Sequence, residues 1–196
     1  VRIHFFDKRE TPPHFYGFYF EGGLLSFVKF LSRDSKTLQE EPFYVHKEAE
    51  EVDSEISFLY VDNDAMKELS FANNIYTPDG GMHLTGFRSA LTRSLNNYAR
   101  AEGYLKDKDE NFTSDDTREG LIAVVSVKLR EPQFEGQTKA RLGSPNARTA
   151  VEAVANEAIK EFLEKNRPEA SRVIAKVLLS AKARMAAKAA KDTVLR

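Results

Sequence analysis

Hydrophobic and polar positions alternate along the first two thirds of the chain in short runs, then shift to a helical period. Ile3 to Phe6 and His14 to Phe20 are aromatic-rich strand candidates, separated by a turn at Pro12 and Pro13. Gly22 and Gly23 lead into a helix in which Leu24, Phe27, Val28 and Leu31 fall at helical spacing and bury one face. Residues 42 to 47 and 55 to 62 read as strands bracketing an acidic hairpin tip, Glu48-Ala-Glu-Glu-Val-Asp53, a solvated turn. Lys67 to Ile75 supplies the next strand. After Pro78-Asp-Gly-Gly81, the spacing of Leu84, Phe87, Leu91, Leu95 and Tyr98 predicts a helix from 82 to about Ala101. A charged loop at 105 to 114 follows, and Asp116 with Glu119 resembles a capping box for one short turn. Leu121-Ile-Ala-Val-Val-Ser-Val-Lys-Leu129 is a near-continuous apolar, β-branched run, the pattern of a strand covered on at least one face.

The last third is helical. Pro145 suits a first helical turn, so one helix runs from there to about Lys165 and a second begins after Asn166, with Pro168 punctuating the break. In the second, Ile174, Val177, Leu178, Ala181 and Met185 form an apolar stripe, and alanines keep the helix propensity high. From Glu169 to Arg196, at about 1.5 Å per residue, the rod is roughly 40 Å long, more than a domain of this size needs to cover its sheet. Its end is expected to protrude, giving residues 1–165 as a domain and 166–196 as a connecting helix. Beyond Ala181 the charged residues are Lys182, Arg184, Lys188, Lys191 and Arg196 against Asp192 alone. A basic helix C-terminus is favoured by the helix dipole, and it also suits an arm near DNA phosphates.

Composition then narrows the class. With 196 residues, 41% hydrophobic and 30% charged, the chain can bury a sizeable core. Zero cysteines exclude disulfides and thiolate chemistry. No apolar run is long enough for a membrane span. A net charge of -1 argues against indiscriminate nucleic-acid binding. Val1 stands inside an alternating pattern, which suggests a fragment of a longer protein.

Several motifs fail on inspection. Gly81-Met-His-Leu-Thr-Gly86 has phosphate-loop spacing, but Phe87 and Arg88 stand where lysine and a hydroxyl residue belong, so its glycines are read as a tight turn from strand into helix. Asp107-Lys-Asp-Glu-Asn111 starts like a calcium loop, yet Phe112 takes the glycine position and Arg118 the position of the bidentate glutamate. Asp62-Asn-Asp64 reads as a hairpin turn, though paired aspartates also occur in magnesium-dependent nicking domains. His4, His14, His46 and His83 are dispersed without ligand spacing, so no metal site is expected. No nucleophile has a neighbouring base.

What survives is Glu131-Pro-Gln-Phe-Glu-Gly-Gln-Thr-Lys-Ala-Arg-Leu-Gly143, a polar loop after the buried strand. Pro132 and Gly136 force the loop, Lys139 offers three ammonium donors, and Gln137 offers an amide that can share an anionic ligand. Phosphate contact and simple solvation are both open on chemistry alone.

The run from Asp115-Asp-Thr-Arg-Glu-Gly120 through Gln137-Thr-Lys139 resembles the transducer domain of bacterial DNA gyrase B subunits. Phe20-Glu-Gly-Gly23, Phe71-Ala-Asn-Asn-Ile75 with Gly80-Gly81, and His83-Leu-Thr-Gly-Phe-Arg-Ser-Ala-Leu-Thr-Arg93 agree with that family in the same order. Met82 and Ser32 depart from it, where the family usually has Thr and Asn; neither touches the Gln-Thr-Lys loop. The alternating elements suggest an α/β (α+β) class. The resemblance implies a ribosomal S5 domain 2-like sheet with helices on one face, a left-handed βαβ crossover and a long C-terminal helix.

It also implies a role. The chain would be part of an ATP-dependent type IIA topoisomerase that supercoils DNA in the bacterial cytoplasm. Gln137 and Lys139 would reach the γ-phosphate of ATP and magnesium held by an N-terminal ATPase domain absent here, so the chain alone would bind no nucleotide and hydrolyse none. Its partners would be that domain, a metal-binding domain of the same polypeptide, the gyrase A subunit, DNA and a second copy of the gyrase B protein. Arg88 would face a cavity through which DNA passes; a merely solvated arginine is the alternative. Arg93, five residues on, points about 140° away, so the two do not form one stripe. Other readings are a topoisomerase IV B-type subunit, a free-standing S5-like nucleic-acid-binding module, and a middle domain of a related mismatch-repair or chaperone ATPase.

Overall fold

A computed structural model describes residues 1–194. Strands β1 (Ile3–Asp7) and β2 (His14–Phe18) pair antiparallel as a ribbon whose side chains are almost all exposed. Helix α1 (Gly23–Leu31) precedes β3 (Phe43–Ala49) and β4 (Val52–Tyr60). The two strands run through the acidic segment that the charge pattern assigns to the tip. Only Glu50 and Glu51 turn, with φ of 50° and 61°.

The strand expected over 67 to 75 is a hairpin, β5 (Lys67–Ala72) and β6 (Ile75–Tyr76). Asn73 and Asn74 both take left-handed φ, 49° and 63°, as a tight two-residue turn requires. Asn73 also clasps the strand that follows: its Nδ2 donates to Leu129 O at 2.8 Å and its Oδ1 accepts from Leu129 N at 2.9 Å.

Helix α2 (Met82–Ala101) leads to β7 (Leu121–Lys128), a small ribbon of β8 (Phe134–Glu135) and β9 (Arg141–Leu142), then α3 (Pro145–Lys165) and α4 (Arg167–Val194). The helix break is at Asn166, whose N–H and Nδ2 both donate to Phe162 O at 2.9 Å. The main sheet has the order β3-β4-β7-β5-β6. Its parallel pair, β5 and β7, is joined by the crossover that contains α2. This is the mixed α/β class with a long C-terminal helix that the sequence leads one to expect.

Strand alternation divides the core in two. Val52, Ile56, Phe58 and Tyr60 on β4, with Ala123, Val125 and Val127 on β7, face a layer of α2, α3 and the first half of α4. Leu59, Val61, Ile122 and Val124 point the other way, where α1 covers them with Val28, Leu24 and Phe27. The main helical layer is on one face, and α1 adds a small cover to the second.

Gly86 lies one turn inside α2 and serves helix packing rather than a turn. A Cβ there would stand 2.4 Å from Arg148 O on α3. In α4, Ala170, Val173, Ile174, Val177 and Ala181 are buried in the main core, while residues 185–191 are exposed. Arg196, part of the expected basic run, lies outside the described residues.

Candidate functional site

The Gln-Thr-Lys segment closes the β8–β9 ribbon, and the ribbon is fixed to the start of α2. Asp79 N donates to Ala140 O at 3.0 Å and Leu142 N donates to Gly80 O at 3.1 Å. Gly81 bridges in parallel to Leu142 with φ of 138°, and a Cβ on it would stand 2.4 Å from Leu142 O. Only glycine fits that position. Arg141 adds a third tie, donating through Nη1 to Asp79 O at 3.1 Å and pairing with Glu135 at 3.2 Å.

Above this base the loop is free. Residues 135–139 are exposed, and Lys139 has a left-handed φ of 54°. Its Nζ lies 5.8 Å from the centre of the Phe134 ring, and among the described residues no carboxylate pairs with it. Gln137 is equally exposed on the same turn. An ammonium and an amide on an anchored loop fit an incoming phosphate better than a metal, since neither side chain is anionic. Among the described residues, no group of three or more His, Cys, Asp or Glu could hold a metal ion.

Arg88 has a different setting. Its Nε and Nη2 donate to Glu68 of β5 at 3.0 and 2.6 Å. Arg118, in the turn before β7, donates to the same carboxylate through Nε and Nη2 at 3.0 and 2.7 Å. The Glu68 side chain is 4% exposed, Arg118 17% and Arg88 33%. Arg93 pairs instead with Glu152 on α3. Although helical spacing turns Arg88 and Arg93 apart, both border one shallow depression with the hydroxyls of Thr85, Ser89, Thr92 and Ser114. Sequence reasoning missed Glu68 and Arg118. Glu68 lies 20 residues from Arg88 and 50 from Arg118 in the chain, and only the β5–β7 pairing brings them together.

The turn carrying Arg118 also grips α4. Asp116 accepts from Arg184 Nε at 3.0 and 3.1 Å, and Glu119 accepts from Ser180 Oγ at 2.9 Å. Lys176, 7% exposed, donates to Asp64 at 2.6 Å and lies 3.7 Å from Glu119. Residues 62–64 are not the expected hairpin turn, because β7 lies between β4 and β5 in the sheet; they form a bend between strands that do not pair, and Asp64 there fastens a helix. Burial pushes the Asp116 carboxyl up, but hydrogen bonds from Arg184 and Thr113 outweigh it and hold the group below its ordinary range. Lys176 holds Asp64 low in the same way. The reciprocal cap of this turn is Thr113 with Asp116, one turn earlier than the Asp116–Glu119 spacing suggests: Thr113 N donates to Asp116 Oδ2 at 2.8 Å and Asp116 N to Thr113 Oγ1 at 3.2 Å.

Beside the Lys139 base, His83 is fully buried, with Nε2 at 3.3 Å from Thr77 Oγ1 and Nδ1 without a partner among the described residues. Burial lowers its pKa to about 4.

Known proteins share this sequence and fold. The family model described as DNA gyrase B matches residues 23–193. The DNA gyrase B protein of Clostridium acetobutylicum is 45% identical over 100% of this chain, which spans 31% of that protein. One from Myxococcus xanthus is 43% identical over 97% of this chain and 23% of its own length. The crystal structure of the 43K ATPase domain of Thermus thermophilus gyrase B superposes with a TM-score of 0.87 at 42% identity, covering 98% of this chain and 51% of that one. A topoisomerase IV ATP-binding domain of Francisella tularensis gives 0.74 at 25% identity, covering 88% and 46%. The chain thus spans a quarter to a half of the length of these relatives. Among the described residues, no helix is long and apolar enough to cross a membrane.

Proposed function

Since this chain belongs to the DNA gyrase B family, we propose that it is the transducer part of a gyrase B protein, an S5 domain 2-like relay within an ATP-dependent, DNA-supercoiling topoisomerase. Lys139 and Gln137 read the terminal phosphate of ATP held by a preceding domain. The observation that carries this reading is Lys139 itself: an ammonium with no carboxylate partner among the described residues, on a left-handed turn above a base locked to α2. The match to the gyrase B family model and to gyrase B proteins at 43–45% identity over nearly the whole chain favours gyrase.

The relay runs through this chain's own contacts. The ribbon is bonded to the 79–81 turn, from which α2 starts; α2 carries Arg88 to Glu68 and Arg118; the turn bearing Arg118 holds Arg184 and Lys176 of α4. Bound ATP with its magnesium supplies the anionic γ-phosphate that its hydrolysis product lacks, and most of that pocket belongs to the preceding domain. A ligand shifts a two-state equilibrium only by its different affinity for the two states, and Lys139 provides that difference. One charge-assisted hydrogen bond contributes about 1.5 to 3 kcal/mol, enough to change a closed-to-open ratio roughly ten- to a hundredfold. Residues 1–165 form the sensing body and 166–196 the arm toward a metal-binding domain, the gyrase A subunit and DNA. Two gyrase B proteins would enclose the DNA that Arg88 and the basic end of α4 meet in the bacterial cytoplasm.

Lys139→Ala in the intact gyrase B protein should lower ATP turnover and supercoiling ten- to a hundredfold while its circular dichroism matches the parent. Near-normal turnover would end the proposal. The chain alone should hydrolyse no ATP.

A further inference from the structure

We propose that Glu68 is a positioning residue that restrains Arg88, setting both the direction of its guanidinium and how much of its charge a DNA phosphate can use. The inference rests on the reading that Arg88 meets DNA.

The geometry separates the two edges of Arg88. Glu68 occupies the side-on edge, taking Nε at 3.0 Å and Nη2 at 2.6 Å. Nη1 makes no hydrogen bond among the described residues, and the side chain is one third exposed. The end of the guanidinium is therefore left unpaired on an arginine that borders the depression lined by Thr85, Ser89, Thr92 and Ser114 and, on its other side, the one shared with Glu68 and Arg118. Thr85 Oγ1 donates to Gly81 O and Thr92 Oγ1 bonds Thr117 Oγ1, whereas the hydroxyls of Ser89, on the α2 surface with Arg88, and Ser114 make no hydrogen bond among the described residues; such hydroxyls beside an arginine suit a phosphate oxygen.

Charge sets the strength of that contact. Arg88, Arg118 and Glu68 together carry +1 rather than the +2 of the arginines alone, with Asp115 a further 3.4 Å from Arg118 at the surface. Glu68 is 4% exposed, so salt and water screen its attraction for Arg88 weakly. A phosphate approaching Nη1 meets an arginine already opposed at contact distance. Glu68 also serves Arg118, whose two donors share its Oε2, so it cannot swing away with Arg88 without stripping Arg118 of its partner. The carboxylate behaves as a fixed internal competitor of DNA. Preorganising one guanidinium gains only a few rotamers, whereas the carboxylate at contact distance opposes the charge that Arg88 itself presents to a phosphate, so restraint outweighs orientation.

The measurement is binding of a short fluorescent DNA duplex by the intact gyrase B protein across a salt series. Glu68→Gln should tighten binding about three- to tenfold and steepen the slope of log affinity against log salt by up to about one. Arg88→Ala should weaken binding and flatten the slope by a similar amount. In the Arg88→Ala background, Glu68→Gln should change affinity less than about twofold, because the competitor has lost its target. Circular dichroism monitors the fold. If Glu68→Gln does not fold, Glu68→Asp keeps the charge but is one methylene too short to bridge both arginines, and should tighten binding by a smaller factor. Should Glu68→Gln leave affinity unchanged or weaker while Arg88→Ala still weakens it, the restraint is refuted and the DNA contact stands. Unchanged affinity in both variants overturns the DNA contact and the restraint with it. An equal gain from Glu68→Gln with and without Arg88 also overturns the assignment, since the charge would then act through another residue.

Discussion

Lys139 and Arg88 sit near one another in the fold's logic and in opposite electrostatic states. Lys139 stands on a loop with a rigid base and, among the described residues, no carboxylate partner; Arg88 stands on a helix with a buried carboxylate bonded to two of its nitrogens. Both positions are anchored by backbone: the 79–81 turn holds the β8–β9 ribbon and begins α2. What differs is where the counter-charge comes from. For Arg88 the fold supplies it, and external anions must compete; for Lys139 no carboxylate among the described residues supplies it, which leaves the ammonium open to the phosphate proposed above. On the proposed reading, a sensor and a brake are built from the same cation chemistry by adding or withholding one glutamate.

The largest effect should come from breaking the base the two share. Gly81→Ala places a Cβ within 2.4 Å of the Leu142 carbonyl oxygen, a backbone atom that cannot rotate away, at a φ of 138° that L-residues avoid. The expected cost is about 3 to 4 kcal/mol, with the urea midpoint falling accordingly. A midpoint close to the parent would mean that the ribbon is not fixed to α2, and the contrast between anchored base and free loop would fall.

The pH dependence sharpens the same point. His83 is two residues past Gly81, and burial holds its pKa at about 4 against an ordinary 6.5. The folded state therefore binds fewer protons than the unfolded one between these values. Stability is full above about pH 6.5 and is lost as pH falls toward 4, by about 3 kcal/mol in total. Asp64 and Asp116 are lowered from 3.8, so their share is lost only at still lower pH. Urea unfolding at pH near 7.5 and near 5 should show the loss, and His83→Gln should flatten it. Equal slopes in both proteins would assign the effect elsewhere.

Why one cation is visible in the sequence and the other's partner is not has a physical basis. Helix α2 and the break at Asn166 follow from local periodicity and from one asparagine and proline, so their limits emerge close to the observed ones. Lys139 is legible because its features are local: a strand end, Pro132, Gly136 and a lysine. Glu68 is not, because a lone glutamate on a strand has no local signature and its two arginines come from a helix and a turn far along the chain. The β5–β6 hairpin escapes for a related reason: Asn73-Asn74 is a turn only if both residues take positive φ, and the apolar residues around it run on like one strand. The cap at Thr113 shows how two carboxylates three residues apart, Asp116 and Glu119, can be assigned to each other when each serves a different partner.

The smallest expected effect tests the contrast most directly. Arg88→Ala leaves Glu68 buried with Arg118 alone, so part of a desolvated carboxylate's hydrogen bonding is lost; the expected destabilisation is about 1 to 2 kcal/mol. Lys139→Ala removes an exposed ammonium that pairs with no carboxylate among the described residues, and stability should stay within about 0.5 kcal/mol of the parent. Both are read from urea unfolding of this chain without nucleotide or DNA, where only internal partners count. Equal losses at the two positions would show that Glu68 contributes nothing net to holding Arg88, or that Lys139 has an internal partner. A loss confined to Arg88 means that one cation has its counter-charge within the fold and the other must receive it from outside.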